Sequence, residues 1–121
     1  MIEISLKNVL FDRGVTLPGP ASGKIIFSVR GHAGSGVKGE DVVCAAVSAL
    51  AQTLVLSVGK IAGIGGSLEH GSGVLRMEID PGSLTERQNT TLGILLESFL
   101  IGAGEIMKQH PSSVRIDCDK D

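Results

Sequence analysis

From Val42 to Gly59 the chain runs through eighteen residues without a charge. Apolar residues recur within it at Val43, Val47, Leu50 and Leu54, a spacing of three and four that predicts an amphipathic helix. The helix is expected to begin near Glu40-Asp41, to run to about Val58 and to stop at Gly59 or Gly63. Its opposite side, Cys44, Ser48, Ala51 and Val55, is small and only weakly polar. A helix apolar nearly all round needs cover on both sides. The stretch is short for a membrane span and carries Ser48, Gln52, Thr53 and Ser57, so that cover is expected from the protein itself.

The rest of the chain supplies it. Ile2, Ile4 and Leu6 alternate with polar neighbours, which predicts a half-buried strand, and Lys24 to Arg30 predicts a second with Ile25, Phe27 and Val29 on one face. Between them, Phe11 to Gly23 holds Gly14, Pro18, Gly19, Pro20 and Gly23 and reads as a loop. Ser67 to Asp80 reads as a hairpin about Gly71-Ser72-Gly73. Ser83 and Glu86 fit a capping box before a long helix whose buried stripe is Leu92, Leu95, Leu96, Phe99, Leu100, Ala103, Ile106 and Met107. Gly93, Gly102 and Gly104 are expected to let another element approach that helix. Pro111 ends it, and Val114 to Ile116 makes a last strand. The order ββαββαβ predicts an α+β fold, a small mixed or antiparallel sheet with two long helices, in a single domain over residues 1–121.

Charge and composition exclude some functions. Eleven Lys+Arg stand against thirteen Asp+Glu, a net charge of −2, and there is no Trp or Tyr. Such a chain lacks both the basic footprint and the stacking platforms of a nucleic-acid binder. Two cysteines, Cys44 and Cys118, do not make a secreted disulfide framework. No basic and apolar leader opens the sequence, so a soluble, cytoplasmic protein with reduced thiols is expected, with no membrane partner. His70, His110, Asp117, Cys118 and Asp119 have no tight ligand spacing, and Gly31 to Gly36 matches neither nucleotide-binding glycine motif. No metal or cofactor is expected.

The segment Gly31 to Ser48 carries the chemistry. If Asp41 caps the helix, Cys44 is its third residue, and the sulfur lies where free N–H groups and the helix dipole favour a thiolate. His32 stands twelve residues earlier, across a glycine-rich tether that can bring its imidazole to the helix start. Such a contact would activate the thiol and supply a general acid for a leaving amine. The negative charges of Glu40 and Asp41 oppose a second anion, unless Asp41 is engaged in capping or in orienting His32. A cysteine among alanines also fits an inert buried residue, and Ser48, one turn on, fits either a site wall or a packing serine.

Gly31-His32-Ala33, the glycine-rich spacer and Gly39-Glu40-Asp41-Val42-Val43-Cys44-Ala45-Ala46-Val47-Ser48-Ala49-Leu50 resemble the bacterial ribosomal-processing cysteine protease family, Prp. The likeness extends more loosely over the whole chain. It implies a small α+β homodimer with Cys44 as nucleophile and His32 as general base and acid. Asp41, Ala45 and Ser48 are the supporting positions, and Ala33, Gly34, Ser35, Gly36, Val37, Lys38 and Gly39 form a lid that orders on the substrate. The implied substrate is the N-terminal extension of large-subunit ribosomal protein twenty-seven. A non-enzymatic, ribosome-associated dimer module is the alternative. A redox pair of Cys44 and Cys118 is a third reading.

Overall fold

The computed structural model describes residues 1–12, 15–18, 23–31, 40–71 and 73–118. Five strands form one mixed sheet: β1 (Ile2–Lys7), β4 (Ile25–Arg30), β5 (Ser67–Gly71), β6 (Val74–Ile79) and β7 (Val114–Cys118), in the order β5-β6-β4-β1-β7. β1 pairs antiparallel with β4 and parallel with β7. Two helices, α1 (Glu40–Lys60) and α2 (Glu86–Gln109), complete the expected α+β order.

Strand alternation sets the two faces of the sheet. Ile2, Ile4, Leu6, Ile25, Phe27, Met77, Ile79 and Val114 are buried on one face, and the register brings Leu6 beside Phe27 and Phe27 beside Met77. The other face carries Glu3, Lys7, Arg30, Arg76, Glu78 and Arg115, with Glu78 bridged to Arg76 at 2.6 Å and to Lys24 at 3.7 Å. Both helices cover the apolar face. Val43, Val47, Ala51, Leu54 and Val58 of α1, and Leu92, Leu96, Phe99 and Ala103 of α2, join one core with the strands. Phe27 and Phe99 meet edge to face, ring centroids 4.9 Å apart at 84°, the geometry that aromatic quadrupoles favour. By length and mean hydropathy (2.0 over Val42–Lys60, 1.4 over Glu86–Gln109) both helices match a membrane span. Here their apolar stripes contact each other and the sheet instead.

Three sequence expectations need correction. The stretch from Phe11 to Gly23 is not all loop. β2 (Val9–Asp12) pairs with β3 (Val15–Pro18) as a separate two-stranded sheet, and β3 contacts α2. The run Val15-Thr16-Leu17 has strand character that the surrounding glycines and prolines obscured, and proline is tolerated at the end of an edge strand. Asn8, at φ +64°, turns the chain out of β1, and its Nδ2 donates to the Lys24 carbonyl at 2.7 Å, closing the base of the excursion.

The capping box belongs to Thr85 and Gln88, not to Ser83 and Glu86. Asp80 instead caps a 3-10 turn at Pro81–Ser83, and Ser83 is used there. Thr85 Oγ1 accepts from the Gln88 amide at 3.1 Å, while the Thr85 amide donates to Gln88 Oε1 at 2.9 Å. Gln88 Nε2 also donates to the Gly63 carbonyl at 3.0 Å, tying the start of α2 to the end of α1. That end is a left-handed turn at Gly63 (φ +65°), which sends Ile64 back into the core. Third, only part of the glycine expectation on α2 holds. A Cβ on Gly102 would stand 3.1 Å from Leu50 Cδ1, and Gly93 is buried, but a Cβ on Gly104 would meet nothing within 4 Å.

Candidate active site

α1 begins at Glu40, so Asp41 is its second residue and not its cap, and Cys44 is its fifth. Acidic residues in a first turn complement the positive end of the helix dipole, which lets them join the helix. The amide of Cys44 therefore lies beyond the unpaired N–H groups of the helix start. Its Cβ tilts toward the helix N-terminus, as every helical Cβ does, and so leans back over those groups.

Cys44 is half-buried and carries no disulfide. Its side of α1 forms one wall of a cavity of about 190 Å³. Cys44, Ser48 and Gln52, spaced four apart, line that wall in a row along the helix. Across from them stand Val29 of β4, Leu75 of β6 and His70 of β5. Gly31, Gly71 and Gly73 complete the mouth, where the absence of side chains leaves backbone open to a ligand. Ala45, one position round the helix, is exposed and does not line the cavity. His32 and the lid positions Ala33 to Gly39 lie outside the described residues.

His70 is the cavity residue whose place sequence reasoning did not anticipate, having considered it only as a metal ligand. The signal is the strand period. Leu68 and His70 share one face of β5, and the register sets His70 opposite Leu75, a core-facing residue of β6. Among the described residues no three His, Cys, Asp or Glu side chains lie close enough together to hold a metal. Cys118 sits elsewhere. β7 lies two strands from β4, about 10 Å at normal strand spacing, and Cys118 is in register with Leu6 and Phe27, not with the Gly31 end of the sheet. A disulfide to Cys44 would need Cα atoms within about 7 Å.

The structure is thus a two-layer α+β fold with a cysteine near the start of α1 on the wall of a cavity. The family model described as cysteine protease Prp matches residues 21–115, and the chain belongs to that family. Solved structures agree in fold. SMU.848 from Streptococcus mutans is 28% identical, with 98% of this chain and 93% of that chain covered and a TM-score of 0.67. An essential ribosomal processing protease Prp from S. aureus, in complex with a substrate peptide, is 17% identical, with 98% and 100% covered and a TM-score of 0.72. The same S. aureus protease with a covalently linked product peptide gives 18% and 0.71, with the same coverage. No curated protein matches the sequence. Family membership selects the enzymatic reading over the non-enzymatic module: the protein is a cysteine protease.

Proposed function

We propose that this protease cleaves the N-terminal extension from large-subunit ribosomal protein twenty-seven, with Cys44 as nucleophile and His32 as general base and acid. One observation carries the dyad: Cys44 and Gly31 line the same cavity, and Gly31 is the residue before His32. Covalent geometry holds consecutive Cα atoms about 3.8 Å apart. The chain therefore enters His32 from the rim of the cavity that Cys44 lines, which supports pairing the two.

The chemistry follows from those groups. His32 takes the thiol proton as sulfur attacks the scissile carbonyl carbon, forming a C–S bond and an oxyanion. The unpaired amides at the start of α1 are donors for that charge. The intermediate collapses with cleavage of the C–N bond, and His32 gives its proton to the departing amine. Water then attacks the thioester with His32 as base, which releases the carboxylate and restores the thiol. Asp41 is assigned to orienting His32 and Ser48 to the cavity wall beside the sulfur. Ala33 to Gly39 is assigned as a lid over the bound peptide. In this reading the enzyme works in the cytoplasm as a homodimer with one such domain per chain. Its net charge of −2 mildly favours a basic ribosomal substrate.

The test is cleavage of a synthetic peptide spanning the same organism's ribosomal-protein extension, read by mass spectrometry. Wild type is expected to give two fragments, and Cys44→Ala and His32→Ala neither. Equal cleavage by Cys44→Ala would remove Cys44 from the mechanism.

A further inference from the structure

A second cavity, of about 170 Å³, adjoins the one at Cys44 and shares Gln52, His70 and Leu75 with it. The two are compartments of one trough between α1 and the edge strand β5. Their linings differ. The Cys44 compartment combines glycine backbone and the polar groups of Ser48, Gln52 and His70 with the aliphatic side chains of Val29, Val74 and Leu75. The far compartment adds Val55, Leu56 and Leu68, all aliphatic. Leu56 is 57% exposed and Leu68 53%, so two large apolar side chains on its walls face water.

We infer that the far compartment is a specificity subsite, which takes a large aliphatic or aromatic side chain of the substrate peptide about five residues from the scissile bond. The inference rests on the reading of Cys44 as the nucleophile. Its occupant follows from continuity: a peptide lying at the sulfur and continuing along the trough arrives between Leu56 and Leu68. The spacing follows from geometry. Twelve residues separate Cys44 from Leu56 on α1, about 18 Å at 1.5 Å per residue. An extended peptide covers that length in about five residues at 3.4 Å each. Glycine at the reacting end leaves room for main chain, whereas the far end has no glycine in its lining and its added aliphatic walls reward side-chain burial. Gln52 and His70 stand at the junction, where the intervening peptide groups pass and need polar partners.

The test measures binding of the ribosomal-protein extension peptide to the full-length Cys44→Ala variant by fluorescence anisotropy. Each apolar residue within seven positions of the scissile bond is replaced singly by Ser. The expected profile has a peak of sensitivity about five residues out, where the replacement raises Kd about tenfold or more. That peak is expected to vanish in a Cys44→Ala variant that also carries Leu56→Ser and Leu68→Ser. Both leucines are more than half exposed, so the fold should persist, and circular dichroism checks it. A profile flat at that distance, or a peak unchanged by the two leucine substitutions, overturns the inference. So does a change of oligomeric state on substituting the leucines, read by light scattering, because a second copy would then be their cover. Failure of the nucleophile reading looks different: the peptide would be cut during incubation with Cys44→Ala.

Discussion

The amide of Gly31 donates to the carbonyl of Gly73 at 2.9 Å, and both glycines hold positive φ, +99° and +73°. This bond joins the end of β4 to the turn between β5 and β6 at the mouth of the Cys44 cavity. A Cβ on Gly31 would run into the Met1 carbonyl oxygen, a backbone atom that cannot swing aside. Gly31→Ala is therefore expected to destabilise by at least about 2 kcal/mol, combining left-handed strain with the clash. Thermal unfolding should show a fall in Tm of about 8 °C. Peptide cleavage should fall as well if His32, the next residue, is the general base proposed above.

Ser48 faces the same cavity one helical turn from Cys44. Ser48→Leu puts three more carbons into a space of about 190 Å³. Turnover of the peptide is expected to fall at least about a hundredfold, since small displacements from reacting geometry already cost that much. Tm should stay within about 2 °C, because an effect on stability below about 0.5 kcal/mol is usual outside the core. Steady-state kinetics beside calorimetry separates a blocked site from a damaged fold.

Phe99 makes the edge-to-face contact with Phe27 where α2 crosses the sheet. Phe99→Ala is expected to cost about 3–5 kcal/mol, the transfer of a buried ring plus the cavity it leaves. Urea unfolding should show the midpoint falling with little change in slope.

The Gln88 side chain serves two partners: it accepts from the Thr85 amide at its own helix start and donates to the Gly63 carbonyl at the end of α1. Gln88→Ala is expected to cost about 1–2 kcal/mol, near the upper end for a lost cap. Amide exchange should quicken both in the first turn of α2 and at the end of α1. A change confined to α2 would show that the bond to Gly63 carries no energy.

The ion pairs of Glu78 on the outer sheet face are a contrasting case. Arg76 and Lys24 are 34% and 62% exposed at their side chains, and solvent screens both pairs. Glu78→Gln is expected to change stability by less than about 1 kcal/mol, and the residual effect should shrink in 1 M salt, checked by denaturant titration.

What the sequence made legible was periodic. The alternation of Ile2, Ile4 and Leu6, the spacing of Val43, Val47 and Leu54, and Leu92, Leu96, Phe99 and Ala103 reach the core as expected, whereas Leu50, Leu95, Leu100, Ile106 and Met107 of the same stripes pack against it only partly buried. Signals that depend on one or two residues were less decisive. Ser83 and Thr85 both head plausible capping sequences, and only the 3-10 turn held by Asp80 decides between them. Glycine and proline around Val15 to Leu17 outweighed three strand formers whose pairing with β2 is settled by tertiary contact with α2. For the site, helical spacing put Cys44 and Ser48 on one face, and both line the cavity. His70 reaches it through pairing across a hairpin, a relationship that depends on register and not on proximity in the chain.

Strand β5 has consequences of its own. It borders the sheet through β6 alone, and all five of its residues are solvent-exposed. A border strand with one hydrogen-bonded neighbour is released at lower free energy than any interior strand. The bank carrying Leu68 and His70 is therefore expected to exchange its amides before β4 and β1 do. Mutational drift along those five positions can reshape one side of the channel at little cost to the rest of the molecule.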